Sequence, residues 1–149
     1  MKILAQLVCA TVAIIACGCA AGPRDMDRMI QMLERDDPAK FEPVMRRFVA
    51  FAIAGDAEGM ISLTSKVTIQ QTGIEKLRQL YLADTIPAIQ LFPRMLNSGR
   101  VHYVDDRKGT TGWAYKQDFM SAAGKKAKIQ FVVLREQGEI CVSSVGLWK

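Results

Sequence analysis

Few side chains in this sequence are of a type and spacing to do chemistry, and the cysteines come first. The chain has four cysteines and one histidine. Cys9, Cys17 and Cys19 crowd the N-terminal stretch, while Cys141 stands alone near the other end. The thiolate is the reactive form of cysteine, so a catalytic thiol needs a base or a cation beside it. His102 is the only imidazole that could serve Cys141, and nothing in their spacing supports the pair. Within its apolar run Cys141 reads as a small buried hydrophobe. No Cys/His cluster has metal-ligand spacing. There is no Gly-rich phosphate loop and no nucleophile elbow. The sequence therefore implies neither a cofactor nor a metal.

Charge narrows the partners. The 149 residues carry a formal net charge of +5, with signs interspersed through most of the chain. There is no arginine-rich stripe and no aromatic repeat of the RNA-binding kind, so nucleic acid is not an expected partner. Lys125, Lys126 and Lys128 do concentrate charge on one hairpin. They read as a solvated turn, or as a contact for anionic lipid headgroups.

The most informative stretch is Met1 to Cys17. Lys2 is a short positive start, and Ile3 to Ala16 is an apolar run interrupted by Gln6 and Thr11. It is short for a bilayer span, which takes about 20 residues. A short apolar run behind a basic start reads as a secretory signal. Its end, Ile14-Ile15-Ala16-Cys17, resembles the bacterial lipobox. That resemblance implies diacylglycerol on the Cys17 thiol, cleavage before it, and acylation of the new amine. Two or more acyl chains anchor stably where one does not, at about 0.8 kcal/mol per buried CH₂. Three alternatives stay open at the cut. Cys19, behind Ala16-Cys17-Gly18, is a poorer match, cleavage after Ala20 or Ala21 would release the protein, and an uncut apolar run would stay as a membrane anchor. Gly18 stands where an Asp would favour inner-membrane retention, so the resemblance implies the outer membrane, facing the periplasm. The expected organisation is a lipoprotein signal peptide over 1–16, a lipidated tether over 17–24 and a single α+β domain over 25–149.

The tether and domain follow from local pattern. Gly22 and Pro23 make a short tether. Met26, Met29, Ile30 and Leu33 fall on one face of a first helix from Asp25 to Asp36, closed by Asp36-Asp37-Pro38. Pro43 suits the first position of a second helix, with Val44, Met45, Phe48, Val49, Phe51 and Ala52 inward. Gly55-Asp56 reads as a stop followed by a start. The third helix, from Ala57, should fade at the β-branched Val67-Thr68-Ile69. Thr72 and Glu75 form a capping box for a fourth helix with Ile74, Leu77, Leu80 and Tyr81 inward. Asp84 reads as the cap of a further turn, and Pro93 with Asn97-Ser98-Gly99 closes the helical half. From there the period changes to two. Strands are expected over 101–105, from Trp113, over 127–135 and over 140–148, separated by turns at 107–112, 123–126 and 137–138. The expected class is α+β, with helices packed on a curved four-stranded antiparallel sheet that buries one face.

The helix pair broken at Ala54-Gly55-Asp56-Ala57, the helix start at Thr72 and the strands from Val101 to Trp148 together resemble the nuclear-transport-factor-2-like superfamily, which has a cystatin-like fold. The resemblance covers about Phe41 to Trp148 and implies a cone with a cavity between helices and sheet. In such domains the cavity binds small molecules or holds a catalytic group, or is filled while the outer sheet face binds proteins; fold alone does not choose among these. Cavity enzymes of the superfamily use a carboxylate with a tyrosine donor, or a His-Asp pair. Asp118, Asp84, Tyr81, Tyr103, Tyr115 and His102 are the groups of those types here. Asp118 alternates onto the wet face with Lys116, and His102 shares a face with Val104, so both read as surface groups. Tyr81, Tyr103, Trp113, Tyr115 and Phe131 could line a pocket or pack as core.

The sequence thus points to a lipid-anchored envelope protein with a non-catalytic domain that binds a small apolar ligand or a partner protein. The alternatives are a small isomerase- or dehydratase-like cavity enzyme and an accessory subunit of a secretion or surface assembly. Cys17→Ser is expected to leave an unprocessed precursor without fatty acid, and Cys19→Ser to leave processing intact. Gel mobility and fatty-acid labelling in a bacterial host check both.

Overall fold

A computed structural model describes Asp27, Ile30, residues 35–105 and residues 110–148. The chain divides after Arg35 into two compact units. In the first, Asp27, Ile30 and Arg35 are helical. Cys17, Cys19, Met26, Met29 and Leu33 lie outside the described residues, as do the signal, the tether and Arg107 to Gly109. All that follows concerns the second unit, Asp36–Lys149.

Helix α1 (Pro38–Ala54) starts where Asp37 accepts the Ala39 amide at 2.9 Å and Pro38 takes the first turn. This corrects the expected start at Pro43, which lies inside the helix. The Asp37-Pro38 pair supplies the same cap-and-proline start five residues earlier. Pro43 and Ala39 are both exposed, so water can take the carbonyl that the proline leaves unbonded. Phe41, Met45, Phe48, Val49 and Ala52 form the buried stripe. Gly55, at φ 75°, closes the helix. Asp56 then opens α2 (Ala57–Ser62) by accepting the Gly59 amide at 2.8 Å.

Leu63 to Ser65 runs beside the last strand. Ser65 N donates to Val142 O and Val142 N to Leu63 O, both at 2.8 Å, a short parallel pairing centred on Thr64 and Val142. Ser65 then caps α3 (Lys66–Thr72). The β-branched run at Val67 is therefore helical rather than the end of a helix. The Ser65 cap and the Glu136 carboxylate, which accepts from Lys66 N at 2.9 Å and Val67 N at 3.3 Å, outweigh a modest propensity penalty. The Thr72–Glu75 capping box is not formed: Thr72 ends α3, Gly73 at φ 84° makes the join without a side-chain cap, and Glu75 reaches Arg78 instead.

Helices α4 (Ile74–Leu80) and α5 (Ile86–Leu91) are joined by a π-helical turn at Tyr81–Thr85. The Ile86 amide donates to Tyr81 O, five residues back. Pro87 explains the wider turn, because its ring would clash with the carbonyl four residues earlier in a regular α-helix. Asp84 sits within this turn and is not the cap it was expected to be. Leu77 and Tyr81 are buried as expected, but Ile74 and Leu80 are 45% and 40% exposed.

Strands β1 (Arg94–Asp105), β2 (Thr111–Met120), β3 (Lys126–Glu136) and β4 (Glu139–Trp148) pair antiparallel in the order β1-β2-β3-β4. The class is α+β. Asn97 to Gly99 belongs to β1 rather than to a closing turn, and the register with β2 shifts between Met95 and Gly99. Thr111 and Gly112 are likewise strand residues. Directly paired residues share a face, so Val101, Tyr115, Phe131 and Val145 form one inner row. His102, Ala114, Val132 and Ser144 form the neighbouring outer row. Helix α1 lies against β2, β3 and β4. Phe41, Phe48, Phe119 and Phe131 have no exposed surface, and Met45, Met60, Ile89, Ile129 and Val133 pack with them.

Gly112 permits the closest backbone approach in the sheet, since a Cβ there would lie 2.1 Å from Val133 O and 2.7 Å from the Leu134 Cα. Backbone cannot give way as a side-chain tip can. Gly112→Ala is expected to cost about 1–3 kcal/mol, whereas Gly146→Ala, with open space around its Cβ, should cost well under that. Urea unfolding of both variants checks the contrast.

Candidate functional site

A dense polar cluster lies where the second unit begins. Asp36 is fully buried. Its Oδ2 accepts from Thr111 Oγ1 at 2.6 Å and from the Tyr103 hydroxyl at 3.5 Å, and its Oδ1 accepts from Arg135 Nε at 3.1 Å. The Trp113 indole N–H donates to the Asp36 carbonyl, and the Tyr115 hydroxyl donates to Pro38 O at 2.8 Å. Three adjacent strands thus hold one short piece of chain. β1 contributes Tyr103, β2 contributes Thr111, Trp113 and Tyr115, and β3 contributes Arg135. Alternation along β2 puts 111, 113 and 115 on the inner face, and pairing brings Arg135 beside Thr111. The Arg135 guanidinium also stacks over the Phe41 ring at 5.3 Å. Tyr103 meets Trp113 edge to face, with centroids 5.2 Å apart.

A carboxylate among hydroxyls and a guanidinium has the ingredients of acid–base chemistry. A substrate, however, must reach such a group, and Asp36 has no exposed surface. The arrangement acts as a clamp. It joins the chain entering α1 to the sheet through charge-assisted hydrogen bonds, the stronger kind. From the sequence alone Asp36 reads only as the end of a helix. Its ion-pair partner is 99 positions away, so no local pattern could reveal it.

The aromatic side chains picked from the sequence are pulled together by the same inner face. Tyr81 packs edge-on against Phe48 at 5.6 Å, and Phe131 meets Phe48 at 6.4 Å. Thr64 gives its one hydroxyl proton to Met60 O at 2.9 Å, so in the 2.8 Å contact between them it is Tyr81 that donates to Thr64. Burial raises the Tyr81 pKa above the ordinary tyrosine value, partly opposed by the Thr64 hydroxyl, which can turn its proton onto a phenolate. Tyr115 is also raised, by burial and then by the charges of Glu42 and Asp37. Both phenols therefore stay protonated donors. Tyr81, Tyr115 and Phe131 belong to the core, with Trp113 packed against it. Tyr103 is half-buried in the clamp.

None of the five aromatics lines either of two surface clefts formed by the described residues. The larger, about 310 Å³, lies between Leu63–Ile69 and the β3–β4 hairpin, with Ile61, Ile140 and Cys141 among its walls. Lys66 and Glu139 stand at this cleft 3.7 Å apart. Burial, and then the neighbouring Glu136, pushes the Cys141 thiol up to about 11. It is thus a neutral thiol at physiological pH, buried as expected. The smaller cleft, about 190 Å³, runs along Ser144–Leu147 beside Gln130, whose buried Oε1 has no hydrogen-bond partner among the described residues.

The remaining candidates are dispersed. Asp118 is partly exposed and pairs with Lys128 at 3.6 Å. His102 and Asp84 are exposed, on β1 and in the π-helical turn. Among the described residues no group of acids, cysteines and histidines could hold a metal ion. No described helix is long and apolar enough to cross a membrane. No family model, no curated protein and no solved structure matches the chain.

Asp36→Ala would leave the Arg135 charge without its carboxylate. Removing one partner of a buried pair costs about 3–5 kcal/mol, and the partial exposure of Arg135 moves the expectation to the lower end. Arg135→Met/Asp36→Leu should recover part of that loss. Chemical unfolding of the single and double variants checks both.

Proposed function

We propose that the chain is a lipid-anchored envelope protein whose α+β domain is a non-catalytic binding module for a macromolecular partner. The observation that carries the choice of partner over small apolar ligand is the packed interior. Phe48, Phe119 and Phe131 are fully buried between helices and sheet, in the space where the cone of a cystatin-like fold would hold a ligand. Of the aromatic set that could have lined such a pocket, Tyr81 and Phe131 pack edge-on against Phe48, and Tyr115 belongs to the same buried cluster.

What the interior does not use, the exterior offers. Leu82 and Leu91, on the α4–α5 rod, are 52% and 64% exposed, and Leu80 lies on the same rod. Gln90 of that rod bonds to Ile53 O at 3.1 Å, which brings another exposed aliphatic residue alongside. Where exposed aliphatic side chains form a contiguous patch they mark a protein contact, and these residues are the material for one on this layer. The lipid anchor rests on the Ile14-Ile15-Ala16-Cys17 resemblance, and the outer membrane on Gly18.

In envelope extracts of the native host, the tagged wild type is expected to cross-link to a defined partner. Leu82→Glu/Leu91→Glu should lose that partner at least tenfold while unfolding at an unchanged midpoint, since both side chains are exposed. A small apolar molecule co-extracted in equal amount with the protein, seen by native mass spectrometry, would instead favour the ligand reading.

A further inference from the structure

The outer face of the sheet is electrostatically one-sided. Register places Arg94, Met120 and Lys126 in one outer row, Asp118 and Lys128 in the next, and Arg100, Lys116 and Gln130 in the third. Alternation along β2 at 116, 118 and 120 puts the three rows on one side. Five cations therefore share half of this face with a single carboxylate, Asp118, which already pairs with Lys128. Arg94, Arg100 and Lys126 are exposed, and so is Lys125 in the adjoining turn. The acids that alternate onto the same side of β3 and β4, Glu136 and Glu139, sit at the opposite end of the strands. Eight residues separate Lys128 from Glu136 along β3, or about 26 Å of strand.

We infer that this end of the outer sheet face docks on an anionic phospholipid surface. Charge complementarity and spacing together select that partner. A single bound anion needs cations that converge on one point, whereas here they are spread over three strands, about 10 Å across. A layer of separate headgroup phosphates meets such a spread without requiring convergence. The central outer row, His102, Ala114, Val132 and Ser144, has no long side chain to hold a plane away. The inference goes beyond the anchored-module reading and does not depend on it, because the face acts without an acyl chain.

The test uses the full chain carrying Cys17→Ser and Cys19→Ser, so that no lipid is attached, and sedimentation with phosphatidylcholine vesicles made with or without phosphatidylglycerol. Any contribution of the apolar N-terminal run is nearly common to both vesicles, so the ratio of affinities reports the basic face. That ratio is expected to exceed tenfold at low salt and to shrink as salt is added. Each exposed cation near such a surface contributes about fivefold. Arg94→Gln/Arg100→Gln/Lys126→Gln should therefore lower the ratio by about a hundredfold, or to unity if it starts below that. A control with the same charge loss elsewhere, Arg47→Gln/Lys66→Gln/Lys76→Gln, should keep most of it. Equal losses in the two triples, no preference for phosphatidylglycerol, or full competition by soluble glycerol phosphate would each overturn the inference. Fatty-acid labelling of Cys17 is read separately, so failure of the anchor and failure of the face are distinguishable.

Discussion

The junction between Asp36 and the inner sheet face is the constraint on which this domain rests. A fully buried carboxylate is costly unless its oxygens are satisfied and its charge is balanced. Thr111, Tyr103 and Arg135 do both. Because they come from three different strands, the carboxylate is satisfied only when β1, β2 and β3 are in register. Because Asp36 directly precedes the Asp37 cap and Pro38, the same contact fixes where α1 begins. Helix start and strand register are thus settled at one place, and the Phe41 ring beneath Arg135 ties that place to the core.

From that corner α1 crosses the sheet and seals the interior. Its stripe of Phe41, Met45, Phe48, Val49 and Ala52 meets Phe131, Val133 and Ile129 from the sheet. The α4–α5 rod closes another side. Its π-helical turn accommodates Pro87 and sets the phase between Tyr81 at its start and Ile86 and Ile89 after it, all three of which are buried.

Much of the architecture was legible in the chain because its signals are local. The Gly55-Asp56 break, the burial of Leu77 and Tyr81, and the period-two strands from Trp113 onward all follow from neighbours a few residues apart. The errors have a common cause in contacts made at long range. Val67-Thr68-Ile69 is helical because Glu136, some seventy positions away, holds the helix start. Thr72 and Glu75 form no capping box because α3 extends through Thr72. Asn97 to Gly99 has a turn composition, yet β2 recruits it into a strand with a broken register. The clamp was invisible for the same reason: Tyr103, Trp113 and Tyr115 were picked out as aromatics, but nothing nearby announced Asp36 or Arg135 as their partners. The basic face was visible only in part, through the lysines of one hairpin, since the arginines of β1 join it through register.

The two borders of the sheet are finished differently, and this bears on how the molecule behaves when crowded. Leu63 to Ser65 occupies part of the β4 border with a parallel pairing, so incoming chain cannot template there. The β1 border has no strand beside it among the described residues, but its ladder is interrupted between Met95 and Gly99. Irregular borders are poor seeds for indefinite strand addition. At high local concentration, borders that resist polymerisation limit edge-to-edge pairing between copies.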